Sequence, residues 1–138
     1  MSEKTTGFEV SKKIVKSQNT IIIFTFKSKF SDTEFLEFLA LFDKFLTNYK
    51  DLKKSFAVLI DTTQCTSVPL RSSISLLKWM RSRSEEIPGT LLCSAVVVKS
   101  SLISSLITQA LKIQPTKAPN MMTVSYEKAY EFCMEHLK

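Results

Sequence analysis

Hydrophobic positions change their period several times along this chain, and each change marks an element. From Phe8 to Val15 a loose alternation predicts a first strand, with Phe8, Val10 and Val15 inward. The polar group Lys16 to Asn19 makes a turn. Thr20 to Phe26, rich in β-branched and aromatic residues, predicts a second strand, and the short connection favours an antiparallel hairpin. Ser31 and Glu34 then have the spacing of a capping box, with Ser31 as N-cap. Phe35, Phe38, Leu39, Phe42, Phe45, Leu46 and Tyr49 recur every three or four residues. That stripe predicts a helix from Asp32 to about Lys50, and its phenylalanines read as core.

Phe56 to Ile60 is a continuous apolar run ending at Asp61, the pattern of a strand covered on both faces in a parallel sheet. After the loop Thr62 to Pro69, Leu70, Ile74, Leu77 and Met80 predict a helix running to about Ser84, with Pro69 in its first turn. Pro88-Gly89 breaks the chain. Leu91 to Val98 predicts a fourth strand. Ser100 or Ser101 can cap a helix whose inner face uses Leu102, Leu106, Ile107, Ala110 and Leu111. Pro115 and Pro119 frame a loop, and Met121 to Val124 predicts a short fifth strand. Ser125 can cap a last helix with Ala129, Tyr130, Cys133 and Leu137 inward. The order is a hairpin, then four helices alternating with three further strands. That order implies an α/β fold: one five-stranded mixed sheet with parallel βαβ units and helices over both faces. No linker or repeat divides residues 1–138, so a single domain is expected, with its ordered core at about 8–137.

At this point the pattern resembles the STAS-like group, the fold of the bacterial anti-sigma-factor antagonists and sulfate-transporter tails, and especially its SEC14-like branch. The resemblance runs from about Phe8 to Leu137. It rests on element order, on FAVLID (Phe56 to Asp61) before a loop and helix, on CSAVVV followed by Lys99-Ser100-Ser101, and on the short strand before YEKAYEFCMEHL. Phosphorylatable members carry a DSSG-like motif at the start of the helix after the third strand. Here the matching region is Ser67-Val68-Pro69-Leu70-Arg71, without that aspartate, serine pair or glycine. Thr66 and Ser67 lie nearby, but the phosphoacceptor motif is not reproduced. The resemblance implies a non-enzymatic interaction or regulatory domain, such as a small subunit of a larger assembly. It implies, as the alternative, a domain holding a lipid or other apolar ligand beside the phenylalanine-rich helix.

Composition narrows the picture. A hydrophobic fraction of 44% over 138 residues supports a core without a disulfide or metal staple. The net charge of +6 gives a weak attraction to nucleic acid, anionic lipid or an acidic protein without conferring specificity, and fits equally a lysine-rich solvated surface; no nucleic-acid module is present. Cys65, Cys93 and Cys133 are far apart and odd in number, with no zinc spacing. Cys93 and Cys133 sit among apolar positions as core thiols, which fits a cytoplasmic or other reducing compartment. Met1 to Thr6 starts no signal-peptide run, and the longest apolar runs are too short to span a bilayer. Two glycines, Gly7 and Gly89, build no phosphate loop, so no cofactor is expected.

No catalytic constellation stands out. His136, the single histidine, reads as a helix-end residue. Two surfaces remain as candidates. The carboxyl ends of the later strands should bring Asp61, Thr62, Thr63, Lys99, Ser100, Ser101, Thr123 and Ser125 to one rim. Those hydroxyls, helix starts and Lys99 could hold an anion or a peptide carboxylate, or could simply cap helices, as Asp61 could cap its loop at Thr63 or Gln64. The second surface is the helix after Pro69, where Arg71, Lys78 and Arg81 flank the apolar stripe and Trp79 lies on its other flank. This is either a protein-binding strip or a solvated face with a tryptophan packed on neighbouring chain. A homodimer is compatible with either.

Overall fold

The structure, a computed structural model, describes residues 8–14, 20–27, 31–65, 75, 76, 78, 79, 81, 82, 89–113 and 118–137. Strand β1 (Phe8–Ile14) and strand β2 (Thr20–Phe26) form an antiparallel hairpin. Helix α1 (Asp32–Asp51) leads to β3 (Phe56–Asp61), which pairs parallel with β2. Strand β4 (Leu91–Val97) pairs parallel with β3, and β5 (Asn120–Thr123) parallel with β4. Helix α2 (Ser101–Ile113) joins β4 to β5, and α3 (Tyr126–His136) follows β5. The sheet order is β1-β2-β3-β4-β5, the order of the chain itself.

Three helices are delimited among the described residues, where four were expected. Of the helix predicted after Pro69, Ser75, Leu76, Lys78, Trp79, Arg81 and Ser82 are helical. The rest of it, Arg71 included, lies outside the described residues, as do Thr66 and Ser67.

Two cores lie on opposite faces of the sheet. On one, Phe35, Phe38, Leu39, Phe42 and Leu46 of α1 pack against Ile22, Phe24 and Phe26 of β2 and against Phe56 and Val58, with Leu76 and Trp79 at the margin. Phe24 meets Phe38 edge-on at 4.8 Å, and Phe26 meets the same ring at 4.9 Å. Such T-shaped contacts contribute beyond the area they bury. On the other face Ala129, Cys133 and Leu137 of α3 lie over Ile21, Ile23, Ala57, Leu59, Cys93, Ala95 and Val97.

Local chemistry sets the limits of α1. Ser31 Oγ accepts from Glu34 N at 3.2 Å, and the Glu34 carboxylate accepts from Ser31 N at 2.8 Å. At the other end Lys53 N donates to Lys50 O and Lys54 N to Tyr49 O, a Schellman closure. Lys53 therefore takes a left-handed backbone, φ 59°, where glycine is the usual occupant.

Two positions depart from the alternation. Val10, expected inward, is exposed, because β1 is an edge strand with one neighbour only. In β4 the register against β3 steps from Phe56↔Leu91 to Ala57↔Cys93, skipping Leu92. This bulge sends Leu91 to the α1 face and Cys93 to the α3 face, although they are two residues apart. In α2 the buried side chain is Ile103, while Ile107 is half-buried; the side chains of Leu102, Leu106, Ala110 and Leu111 lie outside the described set.

Candidate functional site

Because β2 to β5 run parallel, their carboxyl ends share one rim. β3 runs into Asp61-Thr62-Thr63, β4 into Lys99-Ser100-Ser101, and β5 into Thr123 and Ser125. The hydrogen bonds join these three strand ends. Thr62 donates to Val97 O twice, from its N–H at 2.9 Å and from Oγ1 at 2.7 Å, and Val98 N donates to Thr123 O at 2.9 Å. The predicted rim residues are therefore neighbours.

Their polar groups are engaged locally. Asp61 Oδ1 accepts from Thr63 N at 2.9 Å and from the Thr63 hydroxyl at 2.7 Å, an Asx turn that closes the β3 end. Ser100 Oγ accepts from Ile103 N at 3.3 Å and so caps α2, while Ser125 Oγ accepts from Lys128 N at 3.2 Å and caps α3. Thr123 Oγ1 accepts from Ser125 N at 3.1 Å. Lys99 and Ser101 are exposed. Tyr126, in the first turn of α3, has its phenol pushed above the ordinary value by partial burial, with the Asp61 carboxylate adding to the shift. The rim is thus a place where two helix starts and three strand ends are tied together by side chains. Ser100, Thr123 and Ser125 accept there and keep their own O–H groups as donors.

The second candidate surface lies on the α1 face. Lys78 and Arg81 are exposed. Trp79 is half-buried, its ring 4.9 Å from Phe42 and its indole N–H directed at Asp43 Oδ1 at 3.3 Å. This tryptophan belongs to the joint between its own segment and α1. Neither the Asp43 partner nor the bond from Thr62 to Val97 was visible in the sequence, since both span more than 30 residues.

All three cysteines are free thiols and buried. Burial pushes Cys65 up to about 11. Cys133 donates to Val58 O at 3.6 Å. Its S–H contact with Cys93, together with burial, holds its pKa well above the ordinary value. Cys93 shifts the other way, its pKa lowered by the hydrogen bond with Cys133, while its side chain stays fully buried in the core. His136 is half-buried on α3, with Nδ1 3.0 Å from Phe132 O and its ring 4.4 Å from the Phe132 ring. Among the described residues no group of three or more His, Cys, Asp or Glu converges as a metal site. No helix described is long and apolar enough to cross a membrane.

A straight five-strand order with an antiparallel first strand, parallel followers and a last helix folded back on the sheet defines a SpoIIAA-like, that is STAS-like, fold. Among solved structures the chain is similar to an uncharacterized protein of the DUF3478 family with a SpoIIAA-like fold, from Shewanella loihica PV-4. The two are 16% identical, with a TM-score of 0.66 over 96% of this chain and 98% of that one. At that identity the likeness defines the fold alone. No family model matches the chain, and no curated protein does.

Proposed function

We propose that this chain is a non-enzymatic STAS-like interaction domain that binds another protein, as a regulatory element or as a small subunit of a larger assembly. The observation that carries the reading is the SpoIIAA-like fold over nearly the whole chain, an argument by analogy of fold. The side chains add support. The rim hydroxyls with the best placement for chemistry cap helices and close turns. The exposed cations Lys78 and Arg81, with Arg71 in the same basic run, offer an acidic partner a surface. Exposed charges of this kind act mainly on association rate and are sensitive to salt. Three buried thiols suit a reducing intracellular compartment.

The test is recovery of partners from the protein's own source, by wild type and by an Arg71→Glu/Lys78→Glu/Arg81→Glu variant with verified folding. The variant should lose an acidic partner, and wild type should lose it as salt rises. Equal recovery by both proteins at low and moderate salt would reject the basic face as the contact. Turnover of a substrate by the purified chain would reject the non-enzymatic reading.

A further inference from the structure

We infer that Cys93 and Cys133 form an oxidation site, at which a small hydroperoxide converts the two thiols to a disulfide that ties α3 to the sheet.

The pair is made by tertiary structure. The bulge at Leu92 turns Cys93 to the α3 face of β4, and Cys133 lies between Ala129 and Leu137 in the stripe that α3 presents to that face. The sheet around Cys93 is built of small residues: Ala57 is its register partner in β3, and Ala95 follows two places on. Alanines let a helix approach a sheet closely. The Cys133 sulfur accordingly reaches the sheet backbone, 3.6 Å from Val58 O. Val58 directly follows Ala57, so this sulfur is fixed one residue along β3 from the register partner of Cys93. The two side chains are in hydrogen-bond contact, and both are fully buried. Sulfurs brought into contact by two separate elements meet the first geometric demand of a bridge. Cys65 lies in the α1 cluster on the opposite face of the sheet.

The contact also divides the work between the thiols. The Cys133 S–H has two acceptors in reach, the Val58 carbonyl and the Cys93 sulfur. Directed at Cys93, it stabilises the thiolate there, so the Cys93 pKa is lowered while that of Cys133 is raised. Cys93 is therefore the attacking sulfur. Its thiolate breaks the peroxide O–O bond, displaces hydroxide and becomes a sulfenic acid. The Cys133 sulfur then attacks the Cys93 sulfur. The S–O bond breaks, and the oxygen leaves as water with the Cys133 proton. In sum, two thiols give up two electrons and two protons, and hydrogen peroxide becomes two molecules of water. Because both sulfurs are buried, access is by local opening of α3, which favours a small neutral oxidant over a bulky disulfide. A thiol reductant reverses the bridge.

The experiment treats the full chain, reduced and freed of reductant, with hydrogen peroxide in native buffer. Remaining thiols are alkylated in denaturant, and the protein is weighed intact and after trypsin. The expected product is lighter by two hydrogen atoms and alkylated once, at Cys65, with the peptides of β4 and α3 joined. Dithiothreitol should restore three alkylated thiols. The bridge closes a loop of about 40 residues and should raise Tm by about 10 °C. Cys65→Ala should still form it, whereas Cys93→Ala and Cys133→Ala should not; if either of these fails to fold, the wild-type mass decides. The inference is overturned if peroxide leaves all three thiols open to alkylation, or if the bridge includes Cys65 or joins two chains. It is equally overturned if Cys93 or Cys133 proceeds to a sulfinic acid unbridged, or if the bridged chain unfolds no higher than the reduced one. None of these readouts involves a partner, so they are independent of the fate of the basic face around Lys78 and Arg81.

Discussion

Replacing Trp79 with alanine separates an internal joint from a docking side chain. The indole is half-buried, packed at 4.9 Å on Phe42, and its N–H reaches Asp43 Oδ1 at 3.3 Å. Truncating a fully buried large aromatic costs about 3–5 kcal/mol, and half-burial brings that to about 2 kcal/mol. Loss of the long bond to a partly solvated carboxylate adds about 0.5–1 kcal/mol. With an unfolding entropy of roughly 2.1 cal/mol/K per residue, a loss of about 2–3 kcal/mol lowers Tm by about 7–10 °C. Thermal unfolding by far-ultraviolet circular dichroism measures this directly. Trp79→Phe keeps a ring against Phe42 and removes only the N–H donor, so it should recover most of the loss. As the chain's single tryptophan, Trp79 also reports its own environment in the wild type. A quenched or shifted emission that changes with the main unfolding transition is expected. If Trp79→Ala left Tm within a degree of wild type, the packing described here would be wrong. If it also abolished partner recovery, the indole would be an interface anchor instead.

Other outcomes follow from single contacts. Phe38→Ala removes a ring shared by Phe24 and Phe26 and should cost about 3–5 kcal/mol in denaturant unfolding, whereas exposed Leu36→Ala should stay within about 0.5 kcal/mol. Ser31→Ala opens the α1 capping box and should cost about 1 kcal/mol. Lys53→Gly should stabilise by up to about 1 kcal/mol, since glycine takes the left-handed backbone there without steric cost. Cys65 titrates near 11 when folded against 9.0 ordinarily, so between those values the unfolded chain loses its proton first. Stability should therefore fall as pH rises through that window, and Cys65→Ala should flatten the fall; labelling of this thiol at pH 8 should require unfolding.

The elements most legible in the sequence were those whose signals are local. β2 begins at Thr20 and ends at Phe26, as its β-branched and aromatic run predicts, because polar residues bound it on both sides. The start of α1 was legible from Ser31 and Glu34 alone. What escaped depends on tertiary geometry. Strict alternation would place Leu91 and Cys93 on one face; the Leu92 bulge, visible only when β3 is alongside, separates them. Val10 has the hydrophobicity of an inward residue, and only its place on the sheet edge exposes it. The meeting of three strand ends at the rim could be reasoned from parallel βαβ units, but not how each hydroxyl there is used. Thr62 illustrates the difficulty: nothing near it in sequence points to the Val97 carbonyl.

The coincidence of sheet order with chain order has a consequence for synthesis. Each strand leaving the ribosome finds its neighbour already made, so the sheet can grow at its open edge without waiting for distant segments. One face is different. Ile21, Ile23, Ala57 and Leu59 are covered by α3, the last element described. Seventy residues separate Leu59 from Ala129, which at ~5–20 residues per second is about 4–14 s of translation. Throughout that interval the strands already made carry one bare apolar side, which Cys93, Ala95 and Val97 of β4 extend as they are added, and which is covered only when the final helix closes over it.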